Sequence, residues 1–220
     1  MRKILCFLLI IMSIVSCQKE EKEFIDPNED NRIPKDSQLA NLMKNMVIHD
    51  GSFDDIVDNA NCFSINIPYT IMLGGNEREI NGISDYQGIS NIDVVEIKYP
   101  VTITLADHTQ RVIRNDSELS TFGDSCRNED DDDIECIDFV YPIQLSTFNS
   151  RSNIMSSVKI DHDANMFNFM ETVDENVSVS INYPISLLLH NGQNIGAQHN
   201  SELLSNILRV ASACDENDTR

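Results

Sequence analysis

Tryptophan is absent from this 220-residue chain, and aromatic residues together make up 6% of it. Sugar-binding platforms stack rings on exposed aromatic faces, so this composition argues against a strong glycan platform. Basic residues are scarce as well: 16 Lys and Arg stand against 36 Asp and Glu, a formal net charge of −20. A polyanion of that strength repels phosphate backbones and anionic headgroups, which sets nucleic-acid binding aside. No apolar run approaches the roughly 20 residues that a membrane-spanning helix needs. The G-x-S-x-G elbow, the P-loop, the dinucleotide-binding glycine pattern and the HExxH pair are all missing.

The remaining candidates for chemistry are weak. His49, His108, His162, His190 and His199 share no ligand spacing, and "DHD" at 161–163 falls where a helix cap is expected. Carboxylates are so abundant that abundance selects none. The segment "NEDDDDIE", 128–135, could gather Ca²⁺, but it lacks the spacing and the glycine of a calcium loop. Like charges repel and extend, so it reads as a solvated linker. The expectation is a protein with no catalytic residue, no metal and no cofactor.

What is present begins at "IVSCQKEEKE", 14–23. Arg2 and Lys3 precede an apolar run, Ile4 to Val15, of about twelve residues, which suits the core of a signal peptide. Its end, Ile14-Val15-Ser16-Cys17, resembles a lipobox, in which the cysteine takes lipid and becomes the new amino terminus. Multiple acyl chains make such an anchor stable. Gln18 in place of Asp argues against retention in the inner membrane, and "QKEEKE" resembles the acidic export tag of surface-exposed lipoproteins in some Gram-negative bacteria. The resemblance implies a signal peptide over 1–16, lipidation at Cys17, and an outer-membrane, surface-exposed location. A polar tether is expected over 17–35, with Pro27 and Pro34 and no apolar period. Without residues 1–16 the balance is 14 basic against 36 acidic residues, or −22.

Cys6 leaves with the signal and Cys17 carries lipid, so Cys62, Cys126, Cys136 and Cys214 remain for two disulfides in an oxidising compartment. Four cysteines allow three pairings. A repeat in the sequence bears on the choice. "FSINIPYTIML", "VEIKYPVTITL", "IDFVYPIQLST" and "VSINYPISLLL" place Pro68, Pro100, Pro142 and Pro184 in equivalent apolar alternation. The residues one and three before and after each proline are apolar or aromatic, the period of a strand with one buried face. The four tyrosines in these stretches, Tyr69, Tyr99, Tyr141 and Tyr183, fall on the core phase. Turn chemistry follows ("GGNE", "ADHT", "FNSRSN", "HNGQ"), then a weaker strand, then a helix start ("ISDYQ", "NDSELSTF", "DHDANMFNFM", "HNSELLSNIL") with Asn, Asp or Ser as cap. The unit is strand, hairpin, strand, helix, four times over. Proline within a strand forbids a ladder bond and points to a repeated kink.

Cys62 and Cys136 each lie six residues before a proline of this series, so the chain reads as a duplicated pair of units. This favours Cys62–Cys126 and Cys136–Cys214; the rival joins Cys126 to Cys136 across the acidic segment. Ahead of the repeats, Leu39, Leu42, Met43, Met46 and Val47 form one helical stripe, expected to pack on the first half. The expected fold is α+β, antiparallel sheets backed by helices, with an N-terminal half over 36–127, an acidic linker over 128–135, a C-terminal half over 136–214 and a polar tail over 215–220. The chain resembles repeat-containing cell-envelope lipoproteins, a likeness that carries no activity. The leading functional expectation is a non-enzymatic surface lipoprotein that binds an envelope protein or polymer or supports envelope structure. An accessory glycan- or nutrient-binding lipoprotein comes second, and an envelope hydrolase third.

Overall fold

The computed structural model describes residues 31–90, 94–126 and 133–212, with the side chains of Ser125 and Cys126 left aside. The signal peptide, Cys17, most of the tether, residues 127–132 of the acidic segment, Cys214 and the polar tail lie outside the described residues. The described chain is α+β: thirteen strands in four small antiparallel sheets, with five α-helices.

The tether expectation is corrected at its end. β1 (Arg32–Ile33) pairs with β11 (Val177–Ile181), and Ile33 is buried. A single apolar residue is too little to register as a period, yet it finds a core. Helix α1 (Gln38–Asn45) follows, capped by Ser37, whose hydroxyl accepts from the Ala40 amide at 3.2 Å. Its stripe is buried as expected, but against the other partner. Leu39, Met43, Met46 and Val47 join the core of the C-terminal half, packing on α4 (Asp163–Thr172) and α5 (Asn200–Ala211). Amphipathicity specifies that one face is covered and is silent on what covers it.

The N-terminal core is built by residues from Ala60 to Leu119 around Phe63, Ile65, Ile71, Ile80, Ile103 and Ile113. The C-terminal core gathers Ile33, α1 and residues from Ile134 to Val210. None of the sixteen apolar positions flanking the four prolines is exposed, and all four prolines are.

The strands do not run through their prolines. β2 (Phe63–Ile65) and β3 (Tyr69–Leu73) flank Pro68 but belong to different sheets, and so do β5 (Val95–Ile97) and β6 (Val101–Leu105) at Pro100. β2 pairs with β6, Phe63 opposite Leu105, while β5 pairs with β3, Ile97 opposite Ile71. Each strand thus leaves its own hairpin to complete the other's. The C-terminal half repeats the exchange: β8 (Ile137–Phe139) joins β12 (Ile185–Leu189), and β11 joins β9 (Ile143–Asn149). The mid-strand kink expected at the prolines is therefore a change of sheet, where a residue without an N–H leaves no ladder bond unmade. Four backbone bonds sit at equivalent places around the crossings: Asn66 to Thr102 (2.7 Å), Lys98 to Thr70 (2.9 Å), Val140 to Ser186 (3.0 Å) and Asn182 to Gln144 (2.9 Å), the amide donating in each. The X–Pro bonds at all four prolines are cis.

Each crossing strand then meets its hairpin partner, β4 (Asn76–Ile80), β7 (Gln110–Ile113), β10 (Ile154–Ile160) or β13 (Asn194–Ala197). Three hairpins lead into α-helices: α3 (Asp116–Cys126), α4 and α5. The first leads to a 3-10 turn, Ile83–Tyr86, in place of the helix expected at "ISDYQ", a segment too short to bury a stripe. A tyrosine hydroxyl ties the crossing to each α-helix start: Tyr99 to Asp116 (2.8 Å), Tyr141 to Asp163 (2.7 Å) and Tyr183 to Asn200 (2.8 Å).

Candidate interaction face

The sheet ordered β1-β11-β9-β10 carries the longest strands, β9 and β10, of seven residues each. Strand alternation sends Ile143, Leu145, Ile160, Val179 and Ile181 into the core and turns the opposite set outward. Register places Gln144 opposite Lys159, Ser146 opposite both Ser157 and Ser180, and Phe148 opposite both Met155 and Ser178. That outward face is made of small polar residues around one apolar pair, Phe148 and Met155, and no acidic residue occurs between Phe139 and Ile160. In a chain with 36 acidic residues this is a local exception. Arg32, Arg151 and Lys159 border it, with Lys159 paired to Asp161 at 2.5 Å.

Among the described residues β10 is the edge of this sheet, with β9 as its one strand partner. Ile154 and Met155 are 56% and 76% exposed at its start. Natural edges are usually blunted by charge, proline or shortness. β10 is long, holds no proline, and has Lys159 as its one charge.

The histidines singled out for chemistry are dispersed, and the imidazoles of His49, His108 and His199 are engaged in structural contacts. His49 Nε2 bonds Ser64 Oγ at 2.7 Å. His108 Nε2 lies 2.6 Å from the Val47 carbonyl, which can only accept, so the imidazole donates there. The two rings stand edge to face at 5.7 Å, and His108 also packs on Phe167 at 5.6 Å, tying the β6–β7 turn to α4. Burial, then the His108 ring, hold the His49 pKa below its ordinary value against the opposing pull of Asp50. Their adjacency across 59 positions left no signal in sequence spacing. His162 is the N-cap residue of α4, while Asp163 accepts from Tyr141. His199 caps α5 through Nδ1, accepting from the Glu202 amide, where Asn or Ser was expected. His190 donates its amide to the Cys136 carbonyl in a turn.

The end of the acidic segment is less detached than a free linker. Oxygens of Asp133 and Glu135 meet those of Asp50 within 4.8 Å, and the Ile134 amide donates to the Asn45 carbonyl at 3.1 Å. An open cleft of about 470 Å³ lies over the first crossing, lined by Pro68, Pro100, Asn66, Thr70, Lys98 and Gln110 among others. Lys98 there is engaged by Glu77.

Cys62 and Cys136 are both disulfide-bonded. Their surroundings correspond. Ala60 lies beside Gly123 of α3, where an added Cβ would stand 3.6 Å from the Ala60 Cβ; two residues on from Ala60 is Cys62, and three on from Gly123 is Cys126. In the other half Cys136 and Ala211 both pack on the C-terminal core, and Cys214 is three residues beyond Ala211.

Among the described residues no helix is long and apolar enough to cross a membrane. The chain matches no protein-family model, no curated protein and no solved structure.

Proposed function

We propose that the protein is a non-enzymatic lipoprotein, anchored through Cys17 in the outer membrane and exposed at the cell surface, that binds an envelope protein along β10. The observation that carries the binding role is the edge itself: seven residues long, exposed, partly apolar and bordered by a face without acidic residues. The occupant fitted to such an edge is an extended segment of another chain, which adds as a further strand and takes main-chain bonds from β10 while its side chains reach Phe148 and Met155. With no acid on this face, and with Lys159 engaged by Asp161 and Arg151 close to Asp174, a neutral segment is favoured. A second copy is disfavoured by the repulsion of two mature chains at −22 each.

The architecture suits display. We read it as four copies of one strand–hairpin–strand–helix unit forming a duplicated pair. The four matching backbone bonds and the two reciprocal strand exchanges support that reading. The residues that recur are apolar positions, prolines and tyrosine ties, all accounted for by folding. A second reading, an accessory glycan- or nutrient-binding lipoprotein, has the cleft over Pro68 and Pro100 in its favour.

The anchor and the exposure are tested together. Protease added to intact cells should remove the protein, and Cys17→Ala should release it from the membrane fraction. Full protection from protease would end the surface claim, and a Cys17→Ala chain that stays membrane-bound would end the lipidation claim.

A further inference from the structure

The chain passes from the C-terminal core to the N-terminal sheets between Val47 and His49. Val47 is fully buried in the C-terminal core. Two residues on, His49 donates its amide to the Ala106 carbonyl at 3.0 Å and bonds Ser64 Oγ through Nε2, both partners lying in the N-terminal half. His108 crosses in the opposite direction. Its backbone belongs to the β6–β7 turn, but its Nε2 reaches the Val47 carbonyl and its ring packs on Phe167, both in the C-terminal core. The two half-buried imidazoles therefore pass each other, 5.7 Å apart, where the cores meet.

Backbone conformation marks His108 as a residue held for its side chain. The β6–β7 and β12–β13 turns share one pattern of bonds. The His108 amide donates to the Leu105 carbonyl and the Gly192 amide to that of Leu189, each at 2.8 Å. Leu105 and Leu189 in turn donate to Thr109 and Gln193, each at 2.9 Å. His108 and Gly192 both have positive φ, 63° and 79°. Glycine takes that conformation freely, whereas a residue with a Cβ is strained there. The contacts with Val47, His49 and Phe167 offset that strain.

Histidine is the side chain that changes charge under mildly acid conditions. Charge on both rings would set two cations edge to face at the seam, and neither the Val47 carbonyl nor Phe167 brings a full negative charge to balance them. Lys44 already stands 5.3 Å from the centre of the Phe167 ring. The other charged groups around the pair are Glu171 of α4, paired with Lys44, Asp50 beside His49, and Asp107 and Arg111 near His108. Asp133 and Glu135 gather round Asp50. Asp50 favours a charged His49, yet burial and the His108 ring outweigh it, so the folded chain takes up this proton less readily than the unfolded chain. Stability from this group is complete above its ordinary value of 6.5 and is lost as pH falls below it.

We propose that His49 and His108 form a pH-sensitive clasp between the two halves, closed at neutral pH and released in mildly acid medium by proton uptake on the pair. The clasp is independent of β10 and of the partner-binding reading.

The test follows amide hydrogen exchange of the purified full chain at about pH 7 and about pH 5, corrected for the intrinsic effect of pH on exchange. Segments 45–50 and 104–109 should exchange about tenfold faster at the lower pH, while β9 and β10 keep their protection. His49→Gln combined with His108→Asn keeps a donor for Ser64 Oγ and a residue suited to positive φ, and should remove the rise. Equal protection of the two segments at both pH values would overturn the proposal. So would a rise that persists in the double variant, which would assign the response to Asp50, Asp133 and Glu135. A uniform loss of protection across both cores would overturn it as well, since global unfolding needs no clasp. Histidine proton NMR on the unaltered chain keeps the test decisive if the double variant fails to fold: His49 should titrate below 6.5, and a midpoint at or above that value would contradict the clasp.

Discussion

Gly51→Ala is expected to destabilise the N-terminal half severely. A Cβ at this position would fall 2.4 Å from the Phe63 amide nitrogen and 2.6 Å from the Asn61 carbonyl oxygen. Both are backbone atoms of the segment entering β2, so no side chain can swing away. Phe63 is fully buried and pairs with Leu105, and Ile65, two residues on, donates its amide to the Asp54 carboxylate. Displacing this backbone disturbs the strand, the core and the carboxylate tie together. The cost should reach about 3 kcal/mol, the upper range of overpacking. Gly123→Ala is the matched control: its new Cβ meets Ala60 at an ordinary 3.6 Å, and alanine favours the helix. Urea unfolding of the two variants checks the contrast. A Gly51→Ala midpoint equal to wild type would show that this contact is not as tight as described.

Replacing either half-cystine is the second change expected to have a large effect. We propose Cys62–Cys126 and Cys136–Cys214, each closing a loop of more than sixty residues. The contact of Gly123 with Ala60 brings the last turn of α3 toward Cys62, and Ala211 holds the corresponding place at the end of α5. Cys62→Ser or Cys136→Ser should lower stability by about 2–5 kcal/mol. Peptide mapping under non-reducing conditions should recover Cys62 with Cys126 and Cys136 with Cys214. A peptide linking Cys126 to Cys136 would refute the pairing.

Most of the elements were legible because they are written locally; β1, the short helix α2 (Asp55–Asp58) and the 3-10 turn Ile83–Tyr86 were not. Period-two alternation marked the strands around Pro68, Pro100, Pro142 and Pro184, and the apolar stripe marked α1. Their partners were not legible. Alternation says which face of β2 is buried but not that its ladder lies with β6, thirty-six or more residues away. The stripe of α1 gave no reason to prefer the C-terminal core over the nearer one. His199 carries no cap signal in sequence because the usual preference is for small oxygen-bearing side chains, whereas here an imidazole Nδ1 is the acceptor. Asp54 was hidden by its company. In "FDDIVD" it looks like ordinary solvated charge, and it is the packing of the Ser52–Asp54 turn against β2 that buries it. The interaction face had a faint signature, the run from Phe139 to Ile160 without acid, which acquires meaning once register puts Phe148 beside Met155 on an open edge.

Binding of an envelope protein along β10 is tested most directly by photo-crosslinking on intact cells. A photoreactive residue at Ser156, exposed on β10, is compared with one at Glu79, exposed on β4 in the other half. The Ser156 probe should give one discrete adduct containing an envelope protein, with the crosslinked peptide of that partner extended and without excess charge of either sign. Adding Met155→Asp to the same chain should abolish the adduct while leaving the protein folded and at the surface. Equal labelling from Ser156 and Glu79, or an adduct indifferent to Met155→Asp, would contradict the assignment of this edge as the binding site.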